Sequence, residues 1–318
     1  MDLEILLALQ NLRQAWGPGV EQLFVHISDI GGSYIPIIVA CLIYYCIDKR
    51  AGIYTFLSAF FAIFVCNFIK ICVCCYRPWI RDPRIQVAEG ARSGASGYSF
   101  PSGHAANTTG TYGAVGWWYR KRKPVLIICI TVIVLVCFSR LFLDCHTPQD
   151  VLVGFAVGVG SIFVVDRALK WVKKGERRDV RLVVIMLVVS VALLAVAVIK
   201  PYPLDYDATG TLLVDPVKMM RDFFSCTGLF DGALVGLLFE RRTADFANTR
   251  SALAMVIRVV PALVLIYVCL NLASTLSMFI GANAAYFIMA SVGTFLITGG
   301  WPWVFHRIEG AMSARRAQ

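Results

Sequence analysis

Apolar runs separated by short polar or charged connections recur along almost the whole chain, at about 33–47, 51–70, 104–119, 125–143, 150–166, 182–199, 223–239, 253–273 and 284–302. A helix needs about 20 residues to cross a hydrocarbon layer about 30 Å thick, and several of these runs sit at the short end. The runs lack the alternation of barrel strands, and hydrocarbon offers the backbone no hydrogen-bond partner, so each is read as helix. The pattern predicts an all-α fold: a polytopic membrane helical bundle of about nine transmembrane helices.

The first 32 residues read differently. Leu3, Leu6, Leu7 and, beyond Pro18, Leu23 and Phe24 are interrupted by Arg13, Gly17 and Glu21, which fits an interfacial amphipathic segment rather than a span. A basic n-region and a small-residue cleavage site are missing, so a removable signal peptide is not expected. The expected organisation is an interfacial segment 1–32, a membrane core 33–180, and a membrane extension 181–318 of about four helices.

Composition then excludes a soluble globule. Of the 318 residues, 58% are apolar and 16% charged, against roughly 45–50% and 25% in soluble domains. The net charge of +10 would raise nucleic-acid binding in a soluble protein, but here it reads as orientation. Twenty of the 30 Lys and Arg fall in 48–50, 119–124, 166–181, 240–258 and 303–318, and ten in 1–32, 70–103, 140–150 and 200–222. The richer set, with the carboxy terminus, is expected in the cytoplasm and the poorer set outside. The expected partners are the bilayer and a membrane lipid, with no nucleic acid; oligomeric state is not legible.

The outward set carries three polar clusters at span ends. Lys70 and Arg77 are seven residues apart, about two helical turns, and would share a face if the helix continues to Pro78; snorkelling ends would also explain them. After the loop Ser93-Gly94-Ala95-Ser96-Gly97, Pro101-Ser102-Gly103-His104 opens the next run. Such a start presents free N–H groups to a phosphate, although Ser102 also fits an ordinary N-cap. In the third cluster, Ser139-Arg140 precedes His146 and Asp150. Thr147-Pro148 reads as N-cap and first helical residue, so Asp150 either caps that turn or accepts the Nδ1 proton of His146, leaving Nε2 as nucleophile or base. Taken together, three cations, a helix start, two histidines and a carboxylate are what phosphoryl transfer uses.

Lys70-x6-Arg77-Pro78, Pro101-Ser102-Gly103-His104 and Ser139-Arg140-x5-His146-x3-Asp150 resemble, at every defining position, the tripartite signature of the type 2 phosphatidic acid phosphatases (PAP2), relatives of the vanadium haloperoxidases. The resemblance spans roughly residues 50–170. It implies a PAP2-type core in which His146 attacks phosphorus, Asp150 holds its tautomer, and His104 protonates the leaving group and then helps activate water. It further implies that Lys70, Arg77, Ser102, Gly103 and Arg140 hold the phosphoryl oxygens, with neither metal nor cofactor. The implied substrates are lipid phosphates on the outward side: a polyprenyl diphosphate, phosphatidic acid or phosphatidylglycerol phosphate. A sugar or sphingoid phosphate is the alternative within the family, and a non-enzymatic lipid transporter the alternative outside it.

Other features receive plainer readings. Cys72, Cys74, Cys75 and Cys145 are taken as small apolar residues, like Cys41, Cys66, Cys129 and Cys137 inside spans. His26 and His306 are interfacial or tail residues. The block from Arg167 to Arg178 is topogenic charge, and Lys200 to Asp207 form an outward loop near the site mouth.

Overall fold

The computed structural model describes residues 2–32, 34–95, 97–249 and 251–316. Ser33, at the start of the first expected run, and Ser96, in the Gly/Ser loop, lie outside them. The described residues are helical throughout, apart from turns, loops and one isolated antiparallel bridge between Tyr206 and Leu212.

In chain order the helices are α1 Asp2–Trp16, α2 Pro18–Asp29, α3 Tyr34–Leu42, α4 Lys49–Val73, α5 Pro78–Arg81, α6 Glu89–Arg92, α7 Gly103–Thr108, α8 Ala114–Trp118, α9 Lys123–Phe142 and α10 Pro148–Val172. They continue with α11 Arg178–Ile199, α12 Pro216–Thr243, α13 Ala252–Ile280, α14 Ala282–Phe295 and α15 Trp301–Arg316. Wider π turns extend α3, join α7 to α8, and join α14 to α15.

Seven helices among the described residues are long and apolar enough to cross a membrane, and the pair Pro18–Asp29 and Tyr34–Ile47 qualifies as an eighth when taken together. The remaining expected run, α7 through α8, is helical from Gly103 to Trp118 but falls short in length. At 1.5 Å per residue it is about 24 Å long.

Two compact units emerge, one of residues 1–36, 58–164 and 195–223, the other of 37–57, 165–194 and 224–318. The three expected clusters all fall in the first. Its amino-terminal helices pack into it. α1 buries Leu6, Gln10 and Arg13, spaced to share one face, and leaves Ile5, Leu12 and Trp16 exposed. Gln10 donates to the Arg84 carbonyl at 3.1 Å and accepts from the Gln86 N–H at 2.6 Å. Arg13, which the pattern treats as an interruption, is 3% exposed and pairs with the buried Asp144 at 3.0 Å.

In the second unit, Gly228, Gly232 and Gly236 recur every fourth residue along α12 and let α14 approach its backbone. Ser190 donates to Asp231 at 2.7 Å. Several charges counted above as orientation signals also have partners: Lys49 lies 2.8 Å from both Glu240 and Asp245, and Arg258 forms a forked pair with Glu309 at 3.0 and 2.8 Å. The Arg258 guanidinium lies over Phe305 and Phe246. Such pairing compensates charges withdrawn from water.

Candidate active site

α4 does not carry Lys70 and Arg77 on one face, as the spacing suggested. It ends at Val73, Cys74 takes a positive φ of 52°, and α5 begins only at Pro78. The two cations nonetheless reach the same turn, residues 97–101, across the irregular residues 74–77. The Lys70 ammonium donates to the carbonyls of Tyr98 (2.9 Å), Ser99 (3.2 Å) and Pro101 (2.8 Å). All three of its protons therefore go to the turn that precedes Ser102. Arg77 donates through Nε to the Gly97 carbonyl at 2.8 Å, and through Nη1 to the Cys145 carbonyl at 2.8 Å and to His146 Nε2 at 2.9 Å.

The two helix starts read from the sequence are present. Ser102 caps α7, its hydroxyl accepting from the Ala105 N–H at 3.4 Å, and its own N–H donates to the Asp150 carbonyl at 2.8 Å. α7 and α10 are thereby joined at their first turns. Gly154 permits this approach: a Cβ there would lie 2.4 Å from the Ser102 carbonyl oxygen. At the start of α10, Thr147 and Asp150 form a reciprocal cap, with Thr147 N–H to Asp150 Oδ2 at 2.9 Å and Asp150 N–H to Thr147 Oγ1 at 3.3 Å.

Both alternatives read for Asp150 coexist. Its Oδ2 caps the turn, lies 3.4 Å from His146 Nδ1, and accepts from the Ser99 hydroxyl at 2.5 Å. An Arg77 N–H facing Nε2 assigns a lone pair to that nitrogen and the proton to Nδ1, toward Asp150. Burial, followed by the positive charges of Arg77, Arg140 and Lys70, holds His146 well below the ordinary imidazole pKa. The ring is therefore neutral at physiological pH, as a nucleophile requires.

Arg140, 2% exposed, donates through Nη1 to Ser28 Oγ at 2.5 Å, while its Nε and Nη2 are buried without a partner among the described residues. Two unsatisfied guanidinium donors beside a neutral imidazole make a place for an anion. Gly103 and His104 occupy the first turn of α7, with Gly103 open to added volume, and the His104 ring has no hydrogen bond among the described residues. No group of three or more His, Cys, Asp or Glu that could hold a metal ion occurs among the described residues.

Sequence reasoning missed Ser99, Ser28 and the Arg13–Asp144 pair. Ser99 carries no motif, and the other contacts join residues 112 and 131 positions apart. Asp144 lies two residues before His146 in the left-handed region, at φ 56°, and its Oδ1 is buried without a partner among the described residues. Burial pushes its carboxyl up to about 7, outweighing the pull of Arg13, with Glu21 adding to the rise. The unfolded chain would titrate near about 4, so the folded protein binds a proton more tightly between those values. This contribution to stability is complete below about pH 4 and is lost as pH rises through about 7. The thermal midpoint of the wild type is expected to fall relative to D144N between pH 4 and 8. Parallel curves would remove Asp144 as the titrating group.

Comparison with known families finds two matching segments. The profile described as PAP2 superfamily matches residues 51–174, and that described as PAP2 superfamily phosphatase, transmembrane extension, matches residues 224–313. Among curated proteins, phosphatidylglycerophosphatase B of Bacillus subtilis (strain 168) is 37% identical over 78 residues, which cover 22% of this chain and 38% of that relative. No solved structure matches.

Proposed function

Since the chain belongs to the PAP2 superfamily, we propose that it is an integral-membrane lipid phosphatase that hydrolyses a phosphomonoester or diphosphate headgroup through a phosphohistidine. The observation that carries this reading is the buried trio of Asp150, neutral His146 and Arg77, set beside an Arg140 with two unpartnered donors.

In the first half-reaction, Arg77 leaves the Nε2 lone pair for a phosphoryl oxygen, and Nε2 bonds to phosphorus. The bond from phosphorus to the leaving oxygen breaks with its electron pair on that oxygen, which takes a proton from His104. Arg77 and Arg140 stabilise the charge that builds on the non-bridging oxygens. Lys70 supports both from behind the 98–101 turn, and Ser102 and Gly103 offer the start of α7. As the N–P bond forms, the imidazole becomes cationic, and Asp150 stabilises it through Nδ1–H. In the second half, His104 takes a proton from water as the water attacks phosphorus, and the N–P electron pair returns to Nε2.

The excess of Lys and Arg on the opposite connections supports an extracytoplasmic site, with a cytoplasmic carboxy terminus. Charge neutralisation by Lys70, Arg77 and Arg140 supports a reaction without metal. The curated relative's name makes phosphatidylglycerol phosphate the first substrate to test, alongside a polyprenyl diphosphate and phosphatidic acid. In detergent with excess EDTA, phosphate release from at least one of these lipids is expected at the rate seen without chelator. Loss of activity in EDTA would end the metal-free reading, and preference for a soluble sugar phosphate would end the lipid reading.

A further inference from the structure

We infer that the amino-terminal helices belong to the catalytic unit, with Ser28 as the positioning residue for Arg140; this rests on the phosphatase reading above. Residues 2–29 lie outside the segments matched by either family profile, yet α2 reaches the buried guanidinium directly.

The seat of α2 explains how. Phe24 packs against Phe138 and Phe142 of α9, with ring centroids 5.7 and 4.3 Å away. One turn further along α2, Ser28 arrives opposite Arg140 and accepts from Nη1. The end of α2 is held in place by α7 and the π turn that follows it. Asn107 donates to the carbonyls of Gly31 (3.3 Å) and Gly32 (2.9 Å), and Tyr112 to that of Ile30 (3.2 Å). The approach is so close that a Cβ on Gly31 would lie 2.2 Å from Thr108 Oγ1 and 2.5 Å from Val136 Cγ1.

A guanidinium has two edges that can grip an oxyanion with parallel N–H groups, one of them formed by Nε and Nη2. Ser28 occupies Nη1, and the edge left without a partner among the described residues is Nε with Nη2. The hydroxyl fixes the rotation of the planar group and leaves that forked edge for a phosphoryl group. Without the serine, the guanidinium is free to turn, and part of the binding energy goes into ordering it.

The test uses full-length protein in detergent. Inorganic phosphate binding is followed by calorimetry, and kcat and KM are measured on the lipid phosphate that the wild type turns over best. S28A is expected to weaken phosphate binding and lower kcat/KM by about tenfold each, the scale of one hydrogen bond to a charged group. S28C keeps the volume with a weaker acceptor and is expected to fall between wild type and S28A; it carries the test if S28A folds poorly. In an R140A background, S28A is expected to change phosphate binding by less than about twofold, because the serine acts through the arginine. Equal phosphate affinity in wild type and S28A, or full additivity with R140A, would overturn the inference. Absence of phosphate release by the wild type from every lipid would instead overturn the phosphatase reading, while phosphate binding would still report on Ser28.

Discussion

Replacing His146 with alanine is expected to lower turnover of the best lipid substrate by roughly 10⁴-fold or more, the scale seen when a covalent nucleophile is removed. The reason is local. Within the site, the imidazole is neutral, backed by Asp150, and has its Nε2 lone pair turned toward Arg77. Removing it leaves Arg77, Arg140 and Lys70 in place, so a non-hydrolysable phosphonate lipid should bind the variant within about tenfold of wild type. Acid-stabilised quenching should trap phosphate on wild-type protein and none on H146A. A variant that retains more than about one hundredth of wild-type turnover would move the nucleophile elsewhere.

D150N is expected to cost about 10²- to 10⁴-fold in turnover, with little loss of substrate affinity. One oxygen, Oδ2, receives the Ser99 hydroxyl at 2.5 Å and the Thr147 N–H at 2.9 Å, and lies 3.4 Å from His146 Nδ1. An asparagine oxygen in that position keeps the cap at Thr147 but carries no charge, and an asparagine NH₂ in that position faces Nδ1 and gives up the cap. What changes is the proton on the ring. An amide NH₂ turned toward Nδ1 would place the hydrogen on Nε2 and remove the lone pair that must attack. The imidazolium formed on attack would also lose its counter-charge. Rapid-quench measurement of phosphoenzyme formation separates this from a folding defect. A D150N enzyme within threefold of wild type in that step would show that the carboxylate has no part in it.

The parts of the site legible in the sequence were local in sequence. The caps at Ser102 and at Thr147 with Asp150 span three residues each, and their chemistry follows from spacing alone. The end of α4 was not legible: Cys72-Val73-Cys74-Cys75-Tyr76 contains neither glycine nor proline, and the positive φ at Cys74 has no compositional signal. Ser28 and Arg13 were hidden for another reason. Each meets its partner through tertiary packing across more than a hundred residues, and a single serine or arginine on an amphipathic helix looks like surface. Counting cations by connection also treats every charge as equivalent, so it did not distinguish Arg258, buried and forked to Glu309, from solvated arginines that serve orientation alone. The fold class was legible because long apolar runs leave the backbone no alternative to helix.

The helical run from Gly103 to Trp118, about 24 Å long, is shorter than a hydrocarbon layer of about 30 Å. Such hydrophobic mismatch is met by local thinning of the bilayer or by recessing the polar end, at a fraction of a kcal/mol per Å. The end in question is the turn that bears Ser102, Gly103 and His104. The turn that bears His104, the acid of the proposed reaction, therefore stands on a helix shorter than that layer.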